Sequence, residues 1–305
     1  MKKRSFAVIL IVLSIVLVTS LTACSGLFGS DSRYFIDIGE VDDYGVASIV
    51  ANNTITSCVR VIADYKRGSE VISTTAASGF VITEDGYVLT NRHCVIQYYM
   101  SGTDTPKDNG LIVDTLMDAK YTIVLANNRM FTDDENYKVE LVGYSSTTDI
   151  AVLKISKKSN NIMVQEPKFD MPLVLETKEE LFYGQRAYTI GNPENMGLMM
   201  SELMIASPSI RFRRTSDDGF TVIEDAFDSI ILDGNINHGN SGGPLLNVHS
   251  RVTGILYARI DGKKNENDKA DAYGLGCAIS TSEIIKFLDS IKGVKIDYKT
   301  TPKSA

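Results

Sequence analysis

The sequence predicts a predominantly β protein with one clear helix near its C-terminus. Short apolar runs rich in β-branched residues alternate with polar turns along most of the chain, as is typical of antiparallel sheets. Asp85-Gly86 lies between two such runs and is a strong hairpin signal. The helix is predicted at 280–292, where Ser280 and Glu283 fit a capping box and an apolar face recurs at helical spacing before Gly293.

The first 23 residues are predicted to be an export signal, because a basic trio at 2–4 precedes an uncharged apolar stretch at 6–18. The sequence Leu-Thr-Ala-Cys at 21–24 resembles the lipobox of bacterial lipoproteins, in which Cys24 becomes the lipidated first residue. An uncleaved membrane span is the alternative, since the apolar stretch is close to the roughly 20 residues that a bilayer requires. Both interpretations place the remaining chain outside the cytoplasm, tethered to a membrane.

Composition favours a folded domain, with 44% hydrophobic residues and a net charge of −7. There is no basic cluster and no interleaving of aromatic and basic residues, so nucleic-acid binding is not expected. The residue pattern predicts neither a cofactor nor a metal.

The segment Gly-Asn-Ser-Gly-Gly-Pro at 239–244 is flanked by apolar runs at 229–232 and 245–246. A serine between glycines lies on a tight turn, where its hydroxyl is exposed and neighbouring N–H groups can converge on one point. Acyl transfer requires such a nucleophile, here Ser241, together with donors for the oxyanion. A glycine-rich turn without chemistry is the alternative, and this segment alone does not decide between the two.

A serine hydroxyl needs an imidazole to accept its proton, and the chain has only three histidines. His238 and His249 lie in polar segments beside Ser241 and are interpreted as exposed loop residues. His93 is different, because it ends the strand that follows the Asp85-Gly86 turn, where a side chain is held by the scaffold yet open to a cleft.

Asp149 ends a polar stretch and is followed at once by the apolar run 150–155. A carboxylate at the mouth of a buried strand requires a hydrogen-bond donor, and an imidazole Nδ1–H is suitable. A capping role for Asp149 is the alternative when this residue is considered alone.

Four segments in this order resemble the trypsin-like serine proteases, most closely the bacterial HtrA (Deg) branch. They are Gly-Tyr-Val-Leu-Thr-Asn-Arg-His at 86–93, Thr-Asp-Ile-Ala-Val-Leu-Lys-Ile at 148–155, Ile-Gly-Asn-Pro at 190–193 and Gly-Asn-Ser-Gly-Gly-Pro-Leu at 239–245. The resemblance implies two packed six-stranded antiparallel β-barrels of the chymotrypsin-like type, with a C-terminal helix and the catalytic triad in the cleft between the barrels.

The resemblance also implies roles for individual residues. His93 would be the general base, Asp149 its orienting partner and Ser241 the nucleophile, with the N–H groups of Gly239 and Ser241 forming the oxyanion hole. The predicted organisation is a signal peptide at 1–23, a tether at 24–45, an N-terminal barrel at 46–160, an inter-barrel linker at 161–183, a C-terminal barrel with its helix at 184–293 and a tail at 294–305. The polar stretch 101–109 is interpreted as a surface insertion.

Three cysteines remain after Cys24, namely Cys58, Cys94 and Cys277. Trypsin-like enzymes outside the HtrA branch often pair the cysteine after the histidine with a strand residue about fifteen positions before that histidine, and this position is Ser78 here. Buried free thiols are therefore expected, as in the HtrA branch, with a disulfide between Cys58 and Cys94 as the alternative.

The resemblance implies a specificity pocket lined by the residues before Ser241 and by the strand at 254–259. Asn235 stands where trypsin carries an aspartate, so a preference for Lys or Arg is not expected. Ile236 agrees with the small aliphatic preference that is usual in HtrA proteases. Tyr257 and Arg259 complete the predicted substrate-binding set; Arg259 raises the hypothesis of an acidic or polar preference, and its alternative orientation is toward solvent.

The predicted function is that of a membrane-tethered serine endopeptidase acting outside the cytoplasm on unfolded or exposed polypeptide segments. The chain is expected to lack the PDZ domain that usually follows in HtrA proteins, and a homotrimer is a possible assembly because relatives commonly form one. The alternative is a protease-fold binding or sensor lipoprotein whose oxyanion loop is inactive. A β-rich lipoprotein without this chemistry would require the motif matches to be accidental.

Overall fold

The computed structural model describes residues 43–99, 106–107, 115–145, 147–211, 213–215, 222–224, 227–264 and 270–302. These residues belong to one compact unit, 42–305. The predicted signal peptide, Cys24, most of the tether and most of the polar stretch 101–109 lie outside the described residues. In the described part of the chain, no helix has both the length and the apolar character needed to cross a membrane.

The N-terminal half of this unit is a strongly curled antiparallel sheet. Its strands are β1 Cys58–Arg67, β2 Glu70–Val81, β3 Tyr87–Asn91, β7 Asp118–Leu125, β8 Met130–Thr132, β9 Tyr137–Ser145 and β10 Ile150–Lys157, and they are ordered β8-β7-β1-β2-β3-β10-β9. Three short strands, β4 Tyr98–Tyr99, β5 Pro106–Lys107 and β6 Thr115–Leu116, form a small separate sheet.

Alternating side-chain direction explains how this first sheet encloses a core. From Val59 to Tyr65, every second residue of β1 is buried, as a strand with one face inward requires. The end strands β8 and β9 meet through Phe131 and Tyr137, whose rings contact edge to face with centroids 4.9 Å apart. The sheet therefore curls around its buried residues instead of remaining open.

The C-terminal half is a closed antiparallel barrel of six strands. They are β11 Arg186–Gly191, β12 Met199–Ile210, β15 Ser229–Asp233, β16 Pro244–Leu246, β17 Val252–Lys264 and β18 Ala270–Ser280, ordered β11-β12-β15-β18-β17-β16. A hairpin of β13 Arg213–Thr215 and β14 Val222–Glu224 stands apart from it. The predicted all-β, chymotrypsin-like fold class is thus confirmed.

Two details differ from the sequence expectation. The first sheet has seven described strands instead of six, because the short β8 is a strand of its own. A helix, α1 Asp43–Thr54, precedes β1 and was not predicted. Its glycine, asparagines and β-branched residues have low helix propensity, but Val46, Val50 and Thr54 are buried four residues apart, so tertiary packing stabilises the helix.

The predicted C-terminal helix is confirmed as α3 Thr281–Ser290, with Ile284, Phe287 and Leu288 buried. The prediction of a capping box was wrong. Ser280 occupies the N-cap position without a side-chain capping bond, because its hydroxyl contacts the Ser282 hydroxyl at 2.8 Å. We number the one-turn helix after β3, Arg92–Val95, as α2.

The C-terminal tail is packed against the linker between the two sheets. Leu175 donates its N–H to the Lys299 carbonyl at 2.9 Å and accepts a hydrogen bond from the Thr301 N–H at 3.0 Å. The buried Glu176 accepts the Thr301 hydroxyl at 2.6 Å and forms an ion pair with Arg251 at 3.3 Å. These contacts hold the linker between the tail and the second barrel.

Candidate active site

His93 and Asp149 meet at one end of the first sheet. The His93 Nδ1 lies 2.6 Å from the Asp149 Oδ2, and the His93 backbone N–H donates to Oδ1 at 3.0 Å. Two contacts to one carboxylate fix both the position and the ring orientation of the histidine. His93 does not close the strand as predicted, because β3 ends at Asn91 and His93 lies in the one-turn α2.

The backbone of Asp149 is held in an unusual conformation at the entry to β10. Its φ is +52°, in the left-handed region that few non-glycine residues adopt. Its carbonyl accepts the Arg92 N–H at 3.1 Å and the Asn91 side-chain amide at 3.0 Å. Arg92 Nε also lies 3.8 Å from Oδ1. The chain before His93 therefore holds the aspartate that contacts the histidine ring.

The second ring nitrogen of His93 contacts a sulfur atom. Cys94 Sγ lies 3.4 Å from the His93 Nε2 and 4.0 Å from the Ser241 carbonyl oxygen, so one thiol touches both segments. Among the described residues, no hydrogen bond joins His93 to the Ser241 hydroxyl. Hydrogen bonds of this kind are often loose until a substrate is bound.

The environment of His93 shifts its titration. Burial of the ring lowers the pKa of His93, but the electrostatic interaction with Cys94 and the hydrogen bond to Asp149 outweigh burial and raise this pKa above its ordinary value. The ring thus keeps its proton to a higher pH than a histidine in water. Its neutral form, which can accept a proton from a hydroxyl, is correspondingly favoured by alkaline pH.

Ser241 lies on a tight turn whose glycines adopt left-handed conformations. Gly239 has φ +93° and Gly242 has φ +85°. A methyl group on Gly239 would overlap the Asn192 carbonyl oxygen, so both conformation and space require glycine here. Neither the Gly239 N–H nor the Ser241 N–H donates to another described residue. Both donors are thus without an acceptor among the described residues.

The peptide groups around Gly239 have defined orientations. The His238 carbonyl accepts the Glu194 N–H at 2.8 Å. In a trans peptide the C=O and the following N–H point in opposite directions, so the Gly239 N–H points away from Glu194. The Gly239 carbonyl accepts the Ser78 hydroxyl at 2.6 Å. The turn is therefore held from both sides.

The residues predicted to line the specificity pocket are distributed between the core and the surface. Asn235 is exposed, whereas Ile236 is buried and packs within the hydrophobic core of the second barrel. A methyl group on Gly276 would overlap the Ile236 side chain, so this isoleucine fills the space beside β18. Arg259 pairs in register with Gly276 and is half-buried.

Tyr257 lies at a shift in strand register between Leu256 and Ala258 of β17. Its hydroxyl shares a hydrogen bond with Ser229 at 2.7 Å, and its ring contacts Phe227 with centroids 5.7 Å apart.

His238 is exposed and His249 half-buried, each in its own turn. Of the three histidines, the described structure therefore brings only His93 against a carboxylate.

The cysteine prediction is confirmed. Cys58, Cys94 and Cys277 are all buried and form no disulfide in the described structure, so the alternative disulfide between Cys58 and Cys94 is excluded. Burial raises the pKa of the Cys58 thiol well above its ordinary range. Cys58 is therefore an inert core residue.

A two-barrel β fold with a histidine–aspartate pair beside a Gly-Asn-Ser-Gly-Gly turn defines the chymotrypsin-like class of proteins. Comparison with known proteins agrees. Residues 77–255 match the trypsin-like peptidase domain, and the chain belongs to this family.

Curated relatives are bacterial HtrA and Deg proteins. The chain is 25% identical over 247 residues to the serine protease Do-like HtrA of Lactococcus lactis, covering 79% of this chain and 55% of that protein. It is 30% identical over 214 residues to a probable periplasmic serine endoprotease DegP-like of Chlamydia trachomatis, covering 70% and 33%. It is 28% identical over 219 residues to the serine endoprotease DegS of Salmonella typhimurium, covering 71% and 48%. The chain thus spans between a third and about half of the length of these relatives.

Solved structures support the fold. The active form of the Rv3671c protease from M. tuberculosis superposes with a TM-score of 0.55 at 20% identity, covering 83% of this chain and 88% of that one. The serine endoprotease from Yersinia pestis gives a TM-score of 0.51 at 22% identity, covering 82% and 66%. The predicted resemblance to trypsin-like, HtrA-type proteins is confirmed.

Proposed function

We propose that this protein is a serine endopeptidase that cleaves peptide bonds through an acyl-enzyme. The observation that carries the proposal is the 2.6 Å contact between the His93 Nδ1 and the Asp149 carboxylate, in a fold whose Ser241 turn keeps two backbone donors available. Membership of the trypsin-like peptidase family supports it.

The proposed reaction assigns one task to each group. The Ser241 Oγ attacks the carbonyl carbon of the substrate while His93 Nε2 takes its proton, and the N–H groups of Gly239 and Ser241 stabilise the oxyanion. His93 then gives the proton to the leaving amine, and water hydrolyses the ester in a second round of the same steps. Asp149 keeps the proton of His93 on Nδ1 and stabilises the charged ring.

The proposed substrates are exposed or unfolded polypeptide segments with a small aliphatic residue before the cleaved bond. Support comes from Ile236, which is buried and fills the space beside Gly276. Under this proposal, Ile236 limits the length of the side chain that the pocket accepts. The Arg259 hypothesis of an acidic or polar preference stays a proposal, which a peptide library profile of wild-type and Arg259→Ala enzyme can decide.

The proposed location is outside the cytoplasm, with an N-terminal lipid on Cys24 anchoring the chain to a membrane. The export-like sequence before Cys24 supports this proposal, and a relative described as probably periplasmic agrees with it. A homotrimer is proposed by analogy with HtrA proteins alone.

The alternative function is that of a binding or sensor protein with an idle triad. One observation favours it: the His93 Nε2 contacts the Cys94 sulfur at 3.4 Å, and not the Ser241 hydroxyl. In that case substrate segments would bind without being cleaved.

A fluorophosphonate probe distinguishes the two functions. If the protein is a peptidase, the probe labels wild-type protein covalently, and labelling disappears in Ser241→Ala, because the attacking oxygen has been removed. Labelling is measured by gel fluorescence and intact mass. Ser207→Ala, which alters a half-buried serine of β12, is the control and should keep full labelling. No labelling of wild-type protein between pH 6 and about 10 would favour the sensor.

The pocket proposal predicts a change of specificity in Ile236→Ala. Removing three carbon atoms beside Gly276 opens space, so cleavage after Leu or Phe should rise about tenfold relative to cleavage after Ala or Val. Peptide library profiling measures the ratio. Ile205→Ala removes equal volume from the same core cluster on β12, two strands from Gly276, and should leave the ratio unchanged. An unaltered profile in Ile236→Ala would show that this side chain does not limit the pocket.

A further inference from the structure

The Ser78 side chain is the meeting point of three segments around the Ser241 turn. It is fully buried on β2, at the seam between the two barrels. Its hydroxyl donates to the Gly239 carbonyl at 2.6 Å and accepts the Asn192 N–H at 2.8 Å. Its backbone N–H donates to the Ser241 carbonyl at 2.9 Å. One residue thereby contacts both residues that carry the two available N–H donors.

The two hydroxyl contacts act on the Gly239 N–H in complementary ways. The bond to the Gly239 carbonyl fixes the peptide after Gly239. The bond from Asn192 anchors the turn that leads to Glu194, whose N–H holds the peptide before Gly239. Glycine at φ +93° has no side chain to limit its rotation, so these bonds must define its conformation.

The surroundings of Ser78 allow little adjustment. Its carbonyl accepts the Thr90 hydroxyl at 2.8 Å and would overlap a methyl group placed on Gly242. Its hydroxyl lies within 2.9 Å of the place where a methyl group on Gly191 would be. Since the hydroxyl is buried, donates one hydrogen bond and accepts another, no water can take over its contacts without rearrangement.

We infer that Ser78 is a positioning residue of the oxyanion hole, acting through the Gly239 carbonyl and the Asn192 turn to aim the Gly239 N–H beside Ser241. This inference rests on the proposed peptidase function. It adds a component that does not touch substrate and that lies 161 residues from Gly239 along the chain. The Ser78 hydroxyl tethers the oxyanion turn to the first barrel by hydrogen bonds.

The test is the second-order rate constant for fluorophosphonate labelling of Ser241, normalised to the folded fraction seen by circular dichroism. The phosphoryl oxygen of the probe occupies the oxyanion position, so the rate depends on the Gly239 N–H. Ser78→Ala should lower this rate about 10- to 100-fold. This loss is no larger than the loss that follows complete removal of an oxyanion-hole donor. With fluorescein-labelled casein, kcat should fall while KM changes little, because the lost interaction acts in the transition state.

Thr90→Val is the matched control. It removes a buried hydrogen bond to the Ser78 carbonyl but leaves the Ser78 hydroxyl in place. Its melting temperature should fall, while its labelling rate stays within about threefold of wild type. If Thr90→Val lowered the labelling rate as much as Ser78→Ala, the inference would be overturned, because the loss of any buried hydrogen bond between the two barrels would then slow labelling.

If Ser78→Ala does not fold, the labelling rate of Ser78→Cys in reducing buffer tests the inference instead. A thiol has nearly the volume of a hydroxyl but is a weak donor and acceptor, so an intermediate rate is expected. A wild-type rate in a folded Ser78→Ala or Ser78→Cys variant contradicts the role of Ser78. Failure of the wild-type protein itself to react would contradict the proposed peptidase function instead.

Discussion

Replacing Asp149 by asparagine is expected to lower kcat about 10⁴-fold, the magnitude seen when the orienting carboxylate of a serine protease triad becomes an amide. The carboxylate accepts the His93 Nδ1–H at 2.6 Å, and an amide can hold the opposite tautomer, in which Nε2 carries the proton and cannot accept one from Ser241. Steady-state hydrolysis of fluorescein-labelled casein measures the change.

The same variant should shift the pH dependence of kcat/KM. Asp149 helps to raise the pKa of His93, and the active, neutral ring is lost as pH falls through that pKa. Without the carboxylate the acidic limb of the profile should therefore move to lower pH. Asp64→Asn, at an exposed carboxylate that accepts the Thr74 hydroxyl, is the control and should leave rate and profile unchanged. A loss of less than tenfold in Asp149→Asn would remove Asp149 from the proposed triad.

Replacing Gly242 by alanine is expected to destabilise the protein by about 4 kcal/mol and to abolish activity. The new methyl group would overlap the Ser78 carbonyl oxygen and lie 2.5 Å from the Thr90 hydroxyl, and both groups belong to buried strands that cannot move independently. The left-handed φ of +85° adds strain. The free energy of unfolding, from denaturant titration, measures the first effect, and fluorophosphonate labelling measures the second.

Gly184→Ala separates strain from overlap. Gly184 has a similar φ of +78°, but a methyl group there would have no neighbour within 4 Å. Its replacement should cost about 1 kcal/mol, from backbone strain alone, and leave labelling intact. If Gly242→Ala were no more destabilising than Gly184→Ala, the close approach of the two barrels at Ser78 would be refuted.

Several features were predictable because their signals are local. The hairpin at Asp85-Gly86 requires only a turn dipeptide between apolar runs, and Gly86 indeed has φ +95°. The C-terminal helix follows from the spacing of Ile284, Phe287 and Leu288. Helix α1 was missed for a physical reason, because its residues have low helix propensity and the helix depends on tertiary packing.

Other features could not be predicted because they depend on which distant segments touch. The sequence identified Ser78 as the place of a missing cysteine but carried no signal that its hydroxyl would contact Gly239. The sequence predicts Ile236 as a pocket residue, but the packing of Ile236 against Gly276 depends on how β18 closes the second barrel. The contact between Cys94 and the His93 Nε2 joins neighbours in the chain, but it depends on the one-turn helix α2, which was not predicted.

The order of a few short motifs along the chain was sufficient to specify the fold class and to identify His93, Asp149 and Ser241 as candidates. Strand alternation, turn residues and reactive side chains can each be recognised within one short segment of sequence. Only the folded molecule showed that the His93 Nδ1 lies 2.6 Å from the Asp149 carboxylate, that the His93 Nε2 contacts Cys94, and that the Ser78 hydroxyl donates to the Gly239 carbonyl. The first and the last of these contacts join residues 56 and 161 positions apart, and short-range patterns do not encode the packing of two barrels against each other.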